Sequence, residues 1–298
     1  MKVLITGACG LIGRELIEEL KEAHELRLLD QTPPEEATVW AGSGKRALKP
    51  FETDLPFIQA QITDPEAVRA AAEGMDAVIH LAGEPRGLAE IGVDTFHTNA
   101  HGTFVVIDGA RLAGVRRFMC ASSINAFGSF YWRLSGVAPE YEKMPLDEDY
   151  PPVPEDPYSL SKMVNEETCA AFNRAYGMTT AAFRFAGVWP SERYEKVLEG
   201  GLEPTTAWSD DLYQWVHVAD VVRGLRLALE SKNLPGFGVY VLGAGDTRCP
   251  EDTIEILEKF RPDLARNLEV ALEGRSPLLS IHRARKTFGY NPRYRLGP

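Results

Sequence analysis

Short, nearly continuous apolar runs alternate along this chain with stretches whose apolar residues recur every three or four positions. The runs lie at Lys2–Thr6, Leu26–Leu29, Phe57–Ile62, Ala77–Leu81, Arg117–Ala121, Thr180–Phe185 and Val239–Leu242. Apolar runs of this length mark strands buried on both faces. Helical spacing falls at Gly10–Ala23, where Ile12, Leu16, Ile17 and Leu20 share a face, and at Pro65–Ala72, Val93–Ala113, Pro157–Ala175 and Val218–Glu230. Strands and helices in alternation predict an α/β fold, a doubly wound parallel sheet of Rossmann-like type with helices on both faces. Parallel crossovers are right-handed, so a ligand is expected in the crevice at the carboxyl ends of the strands.

Three regions depart from the alternation. Gln31–Pro56 is rich in Pro, Gly and charge and reads as a surface excursion. Tyr131–Pro157 is a long loop dense in proline and acid, of a length more often functional than not. Past Pro190 the chain reads as irregular until Trp215, and after Pro250 it holds one clear helix and a basic tail.

Composition narrows the class. The 298 residues, 44% hydrophobic and 25% charged, are ordinary for a globular protein, and at ~150 residues per domain they suggest about two domains. Thirty-two Lys and Arg against 43 Asp and Glu give a net charge of −11. That charge argues against a nucleic-acid partner and against an anionic membrane surface. No apolar stretch reaches the ~20 residues that cross a bilayer. The opening MKVLITGACGLIG superficially resembles a secretory signal, but its glycines and the acidic helix after it argue otherwise. The four cysteines, Cys9, Cys120, Cys169 and Cys249, form no C-x-x-C pair. A soluble cytoplasmic protein with neither a disulfide framework nor a metal site is expected.

The candidate chemistry begins in the first turn. Gly7-Ala8-Cys9-Gly10-Leu11-Ile12-Gly13 is a G-x-x-G-x-x-G turn between a strand and a helix. Such glycines let the backbone approach a pyrophosphate seated on the helix N-terminus. Gly7, Gly10, Leu11, Ile12 and Gly13 are therefore the expected contacts. Alone the motif is weak, since a glycine-rich turn is often only a turn. It gains weight from Asp30, which follows Gly13 by seventeen residues at the end of the second strand. A carboxylate there accepts the adenosine ribose hydroxyls and repels a 2′-phosphate. Gln31, Thr32 and two prolines follow it, with no adjacent cation, so NAD is favoured over NADP.

Tyr158 and Lys162 stand at i, i+4 on one face of a predicted helix. A phenol of ordinary pKa, about 10, is a poor base at neutral pH. A neighbouring ammonium and a cationic nicotinamide in a closed site correct that. Y-x-x-x-K is common by chance, and the plain alternative is a surface helix with an exposed tyrosine. Ser122 and Ser123 end the strand Arg117–Ala121 at the ligand-binding edge, where a hydroxyl meets the oxygen that Tyr158 deprotonates.

With these motifs the chain resembles the extended short-chain dehydrogenases/reductases, of the NAD-dependent epimerase/dehydratase family. The resemblance covers nearly the whole chain. It rests on the three glycines and Asp30, His80-Leu81-Ala82-Gly83, Asn99 with Gly102-Thr103, Ser122-Ser123 with Phe127-Gly128, Tyr158 with Lys162, Arg184, and Trp215-Val216-His217-Val218 with Asp220. It implies that Ser123, Tyr158 and Lys162 are catalytic and that Tyr158 and Lys162 also touch the cofactor. It places Ile62, Leu81, Ala82, Gly83 and Asn99 against NAD. The implied organisation is an NAD-binding domain over 1–183, rejoined by about 213–243, with 184–212 and 244–298 forming a small substrate lobe. It further implies a homodimer through the helices Val93–Ala113 and Pro157–Ala175.

Departures from the family pattern bear on the reaction. Gln61-Ile62-Thr63-Asp64 stands where the family often has Asp-x-x-Asp. Sugar dehydratases carry an Asp-Glu pair after the hydroxyl residue. Here the positions are Ile124 and Asn125, which do not titrate, so dehydration is disfavoured. Nucleotide-sugar epimerases carry an asparagine within Arg-x-x-Asn-Val-Tyr-Gly-Pro, and Arg184-Phe185-Ala186-Gly187-Val188-Trp189-Pro190 lacks it. A partial similarity to uronate dehydrogenases lies in the Ser-Ser strand end, the stretch Gly128–Arg133, and Arg184, which is suited to a bidentate pair with a carboxylate.

The leading expectation is an NAD-dependent oxidoreductase acting on a sugar or sugar-acid hydroxyl. Ser123, Asn125 and Arg184 would hold the substrate. The alternatives are a nucleotide-sugar epimerase with transient oxidation by bound NAD, and a non-catalytic NAD-binding sensor. His97 and His101 have metal-binding spacing but no third ligand, and are read as surface or interface residues. His217 reads as a hydrogen-bonded structural residue, and Cys9 as a small buried filler. Substrate choice is expected to lie in the loops Glu84–Gly92, Phe130–Glu155 and Ser191–Asp211.

Overall fold

The computed structural model describes residues 1–40, 46–128, 133–137 and 139–297. In chain order, β1 (Lys2–Thr6) leads through the glycine turn into α1 (Leu11–Leu20) and β2 (Glu25–Asp30). The excursion holds a short ribbon, β3 (Thr38–Trp40) antiparallel to β4 (Arg46–Leu48), and β5 (Phe57–Gln59) follows it. Next come α2 (Pro65–Ala72), β6 (Ala77–His80), α3 (Gly92–Phe96), a π-helical turn over His97–His101, α4 (Gly102–Leu112) and β7 (Arg117–Ser123). Helix α5 (Pro157–Tyr176), which carries Tyr158 and Lys162, runs into β8 (Thr179–Phe185), β9 (Val188–Trp189), α6 (Ser191–Gly200), β10 (Val216–His217), α7 (Val218–Glu230) and β11 (Phe237–Leu242). Three short helices close the chain: α8 (Thr253–Phe260), α9 (Pro262–Ala265) and α10 (His282–Phe288).

Seven strands form one parallel sheet in the order β11-β8-β7-β6-β1-β2-β5. The order reverses at β1, so a crevice opens between the ends of β1 and β6. The period of two in each strand divides the core. Val3, Ile5, Ala77, Ile79 and Met119 pack under α1, α7 and α10, while Leu4, Val78, Phe118 and Cys120 pack under α2, α4 and α5.

Four expectations are corrected. The helix predicted over Val93–Ala113 is three segments, because a π turn interrupts it at His97–His101. The strand predicted over Phe57–Ile62 ends at Gln59, where the chain must turn towards the cap of α2. Ser191–Gly200 is helical where the sequence reads as irregular. Its apolar stripe is short, Tyr194, Val197 and Leu198, with Tyr194 and Val197 packed against the cluster of Trp189 and Trp215 and no residue fully buried. Beyond Pro250 there are three helices, two of them too short to show a period.

Candidate active site

The glycine turn is shaped by close approach. Gly7 has φ +73°, and a Cβ there would lie 2.5 Å from the Ala82 backbone nitrogen; a Cβ on Gly13 would lie 2.3 Å from the Gly7 carbonyl oxygen. Only hydrogen fits at either place. The turn is fastened to β2 by Asp30, whose Oδ2 accepts from Cys9 N–H at 3.0 Å and whose Oδ1 accepts from Thr32 N–H at 3.1 Å. Cys9 is buried, donates Sγ–H to the Thr32 carbonyl at 3.2 Å, and has its thiol pushed up to about 12, first by burial and then by Asp30. It cannot be a thiolate there. Asp64 caps α2, accepting from Glu66 N–H and Ala67 N–H at 3.1 Å each, and Ile62 is buried against Gly102. A hollow of about 420 Å³ lined by Gln31, Thr32, Gln59, Ala60 and Gln61 lies beyond the tips of β2 and β5.

Across the crevice, Asn99 sits within the π turn and clasps the backbone after β6. Its Oδ1 accepts Glu84 N–H at 2.7 Å, and its Nδ2 donates to the Glu84 carbonyl at 2.9 Å and to Ser161 Oγ at 3.1 Å. A Cβ on Gly83 would come 2.8 Å from Asn99 Oδ1 and 3.6 Å from Lys162 Nζ. Leu81, Ala82 and Gly83 therefore run between the glycine turn and the lysine. Asn165 satisfies its amide by donating to the Asn99 carbonyl at 3.1 Å and the Ser161 carbonyl at 3.0 Å, and by accepting from Thr103 Oγ1 at 3.0 Å. Thr103 also meets His80 Nε2 at 2.9 Å, and His80 Nδ1 meets Thr6 Oγ1 at 2.7 Å. A polar chain thus crosses the core from β1 to α5. Burial, helped by the Lys162 charge, lowers the His80 imidazole to about 3 and keeps it neutral.

Helix α5 starts at Asp156, whose Oδ1 accepts from Tyr158 N–H and Ser159 N–H at 2.9 Å each and whose other oxygen takes the Ser159 hydroxyl. Asp156 is 2% exposed, and burial raises its carboxyl above the usual range. The cap fixes the first turn, which carries Tyr158. Lys162 lies one turn on, 5% exposed, its ammonium 5.4 Å from the Tyr158 ring centre and donating to the Ala121 carbonyl at 3.2 Å. That carbonyl belongs to β7, whose last residue, Ser123, accepts from Asn125 N–H at 3.1 Å. β7, which ends at Ser123, packs against α5, which carries Tyr158 and Lys162.

Arg184 is 3% exposed and does not present its whole fork to the crevice. Its Nε and Nη2 donate to the two carboxylate oxygens of Glu166 at 2.8 Å each, and Glu166 also accepts from Ser122 Oγ at 2.6 Å. The bidentate pairing expected for a ligand is thus made internally, and only Nη1 is left. Arg184 Nη1 and Asn125 Oδ1 are buried and have no hydrogen-bond partner among the described residues. A buried donor and acceptor left so are suited to the hydroxyl or carboxyl groups of a bound molecule.

Of the stretch Gly128–Arg133, residues 129–132 lie outside the described residues, as does part of the loop Phe130–Glu155. His97 and His101 are exposed and stacked at 4.7 Å, and among the described residues no three metal-binding side chains gather. His217 Nδ1 accepts Ala219 N–H at 3.1 Å, capping α7, and its ring stacks on Tyr294 at 3.7 Å. Glu166, Asn165, Asp156 and Ser161 escape a reading of the sequence as supports of the site. Asp156 alone carries a signal, an acid just before Pro157 at a helix start.

A parallel sheet with a glycine turn after its first strand, a carboxylate at the end of its second, and a serine, a tyrosine and a lysine on β7 and α5 has the build of a dinucleotide-dependent enzyme. The residues fit NAD: the turn leaves no room for a side chain, Asp30 ends β2, and the crevice lies between them. The model of the NAD dependent epimerase/dehydratase family matches residues 3–243, and the chain belongs to that family. It is an NAD-dependent enzyme of the extended short-chain dehydrogenase/reductase type.

Relatives agree on the family and differ in the reaction. The chain is 30% identical over 256 residues to a uronate dehydrogenase of Pseudomonas putida, covering 83% of this chain and 77% of that one. It is 27% identical over 293 residues to a UDP-glucose 4-epimerase of Bacillus subtilis, covering 87% and 82%. A short-chain dehydrogenase/reductase superfamily protein from Agrobacterium tumefaciens with bound NAD superposes with a TM-score of 0.70 at 22% identity, covering 99% of this chain and 94% of that one.

Proposed function

We propose that the protein oxidises a carbinol carbon of a sugar or sugar acid. The observation that carries this reading is the packing of the end of β7, with Ser123, against α5, where the Lys162 ammonium lies 5.4 Å from the Tyr158 ring centre, and the non-titrating Ile124 and Asn125 that follow Ser123. One hydroxyl-directed base and no second acid–base pair suit oxidation rather than loss of water. Tyr158 takes the hydroxyl proton, Ser123 holds the same oxygen, and the Lys162 ammonium stabilises the phenolate. NAD, when bound, supplies the hydride acceptor. Gly7, Gly10, Leu11, Ile12 and Gly13 carry its pyrophosphate and Asp30 its ribose diol, while Ile62, Leu81, Ala82, Gly83 and Asn99 line its path. Asn125 and the free Nη1 of Arg184 receive the substrate's polar groups.

Denaturing the purified protein and measuring released nicotinamide, followed by NADH formation on a panel of aldoses and uronic acids, tests the reading. Little retained cofactor with net NADH formation supports the dehydrogenase. Stoichiometric retained NAD with no net NADH, and inversion at carbon 4 of a nucleotide sugar, supports the epimerase that the Bacillus relative suggests. NAD binding with neither reaction would leave the sensor.

The same reading includes a cytoplasmic homodimer. Val93 (84% exposed), Phe104 (52%) and Tyr176 (50%) lie along α3, α4 and α5, and an apolar strip of this kind suits a second copy. All four cysteines are free, as in a reducing compartment. Sedimentation of the protein and of a Phe104→Glu variant tests the dimer.

A further inference from the structure

One cation in the cofactor cradle has no part in the site as described. Arg14 is the fourth residue of α1, and helical side chains lean back towards the N-terminus. Its Nε donates to the Cys9 carbonyl inside the glycine turn at 3.0 Å, and its guanidinium lies over the Phe51 ring, 4.9 Å from the centre. Nη2 is shielded from solvent and has no hydrogen-bond partner among the described residues. Burial lowers the guanidinium from its usual value, and Asp30 is near enough to offset part of this.

Arg14 and Asp30 nevertheless form no ion pair. Asp30 holds Cys9 N–H and Thr32 N–H, and Arg14 holds the Cys9 carbonyl and the Phe51 face. An anion and a cation stand side by side on one turn, each fixed by other partners. An adenine nucleotide carries the matching groups, a diol for the carboxylate and a phosphate for the guanidinium. A buried guanidinium N–H left unpaired is costly, and a phosphate oxygen removes that cost.

We propose that Arg14 binds a 5′-pyrophosphate oxygen of NAD, adding a charged contact to the backbone N–H groups of α1. This rests on NAD being the cofactor. Phe51 packs against the guanidinium, so the excursion that carries it helps to form the phosphate site.

The test is calorimetric binding of NAD and ADP to the wild type and to Arg14→Met and Arg14→Gln, with adenosine measured as a competitor of ADP. Gln keeps a donor for the Cys9 carbonyl and removes only the charge, so it serves if Met fails to fold. Loss of a charged hydrogen bond should weaken NAD and ADP roughly ten- to a hundredfold, leave adenosine unchanged, and flatten the salt dependence of NAD binding. Equal weakening of adenosine and ADP would make Arg14 a strut for Phe51 and overturn the proposal. So would unchanged NAD affinity, or a loss seen only with 2′,5′-ADP. If the wild type binds no NAD, the cofactor reading fails with it; if it binds and the variants match it, only the proposal fails.

Discussion

Asn99 grips the backbone of Glu84 at both ends, accepting from its N–H at 2.7 Å and donating to its carbonyl at 2.9 Å. The pairing imitates a rung of sheet beyond the end of β6, and it holds Leu81–Gly83 in the narrow space between the glycine turn and Lys162. Asn99→Ala should cost about 1–3 kcal/mol, since a part-buried N–H and carbonyl lose their partner, and should weaken NAD binding. Urea unfolding and NAD titration read the two effects. An unchanged affinity would mean that the loop keeps its path unaided.

Tyr158→Phe should lower turnover by about 10²–10⁴-fold, the range of a lost acid–base group, with NAD affinity kept. Equal losses in turnover and NAD affinity would show that the tyrosine mainly shapes the cofactor site.

The Glu166–Arg184 pair is 8% and 3% exposed and makes two parallel hydrogen bonds. Arg184→Met leaves Glu166 a buried unpaired charge, with an expected loss of about 3–5 kcal/mol. The double variant Glu166→Gln with Arg184→Met should recover a large part of it. If the single and double variants are equally unstable, the pair's charge is not what matters. Any further loss of activity on sugar acids relative to neutral sugars in the double variant measures the contribution of Nη1.

His80 predicts an acid limit. The imidazole falls from its ordinary 6.5 to about 3 in the folded protein, so the unfolded chain binds the proton first as pH drops. Its contribution is complete above pH 6.5 and is lost as pH falls from 6.5 towards 3, by about 1.4 kcal/mol per pH unit. The buried carboxyls Glu148, Asp156 and Asp246, all raised by burial, have the opposite sign. The comparison that isolates His80 is therefore the difference between wild type and His80→Gln in urea midpoints at pH 7 and pH 5. A constant difference would contradict the neutral buried imidazole.

Much of this was legible in the sequence because the main strands are buried on both faces and the motifs are local. Gly7, Gly13, Asp30, Tyr158 and Lys162 each lie in a short pattern whose geometry follows from one turn or one helix. Supports assembled across the fold were not. Asn165 and Glu166 resemble any polar residues on α5, and only the packing of α4, β7 and β8 beside them brings Thr103, Ser122 and Arg184 within reach. The π turn at Asn99 leaves the spacing of apolar residues almost undisturbed, so a continuous helix was expected there. For Arg184, sequence shows a cation at a strand end but not the Glu166 carboxylate already filling most of its fork.

The loop between β7 and α5 does more than connect them. Met144 exchanges backbone hydrogen bonds with Asn267 and Glu269, and Leu146 with Leu278 and Ser280, so two isolated parallel bridges hold the loop to the C-terminal segment. The same stretch runs on through Glu148, which accepts the Val241 N–H, to Asp156 at the head of α5. The C-terminal segment is therefore tethered to the cap of the helix that bears Tyr158. A shift of that segment would pull on the start of α5, so the setting of the C-terminal segment and the placement of Tyr158 become one mechanical variable.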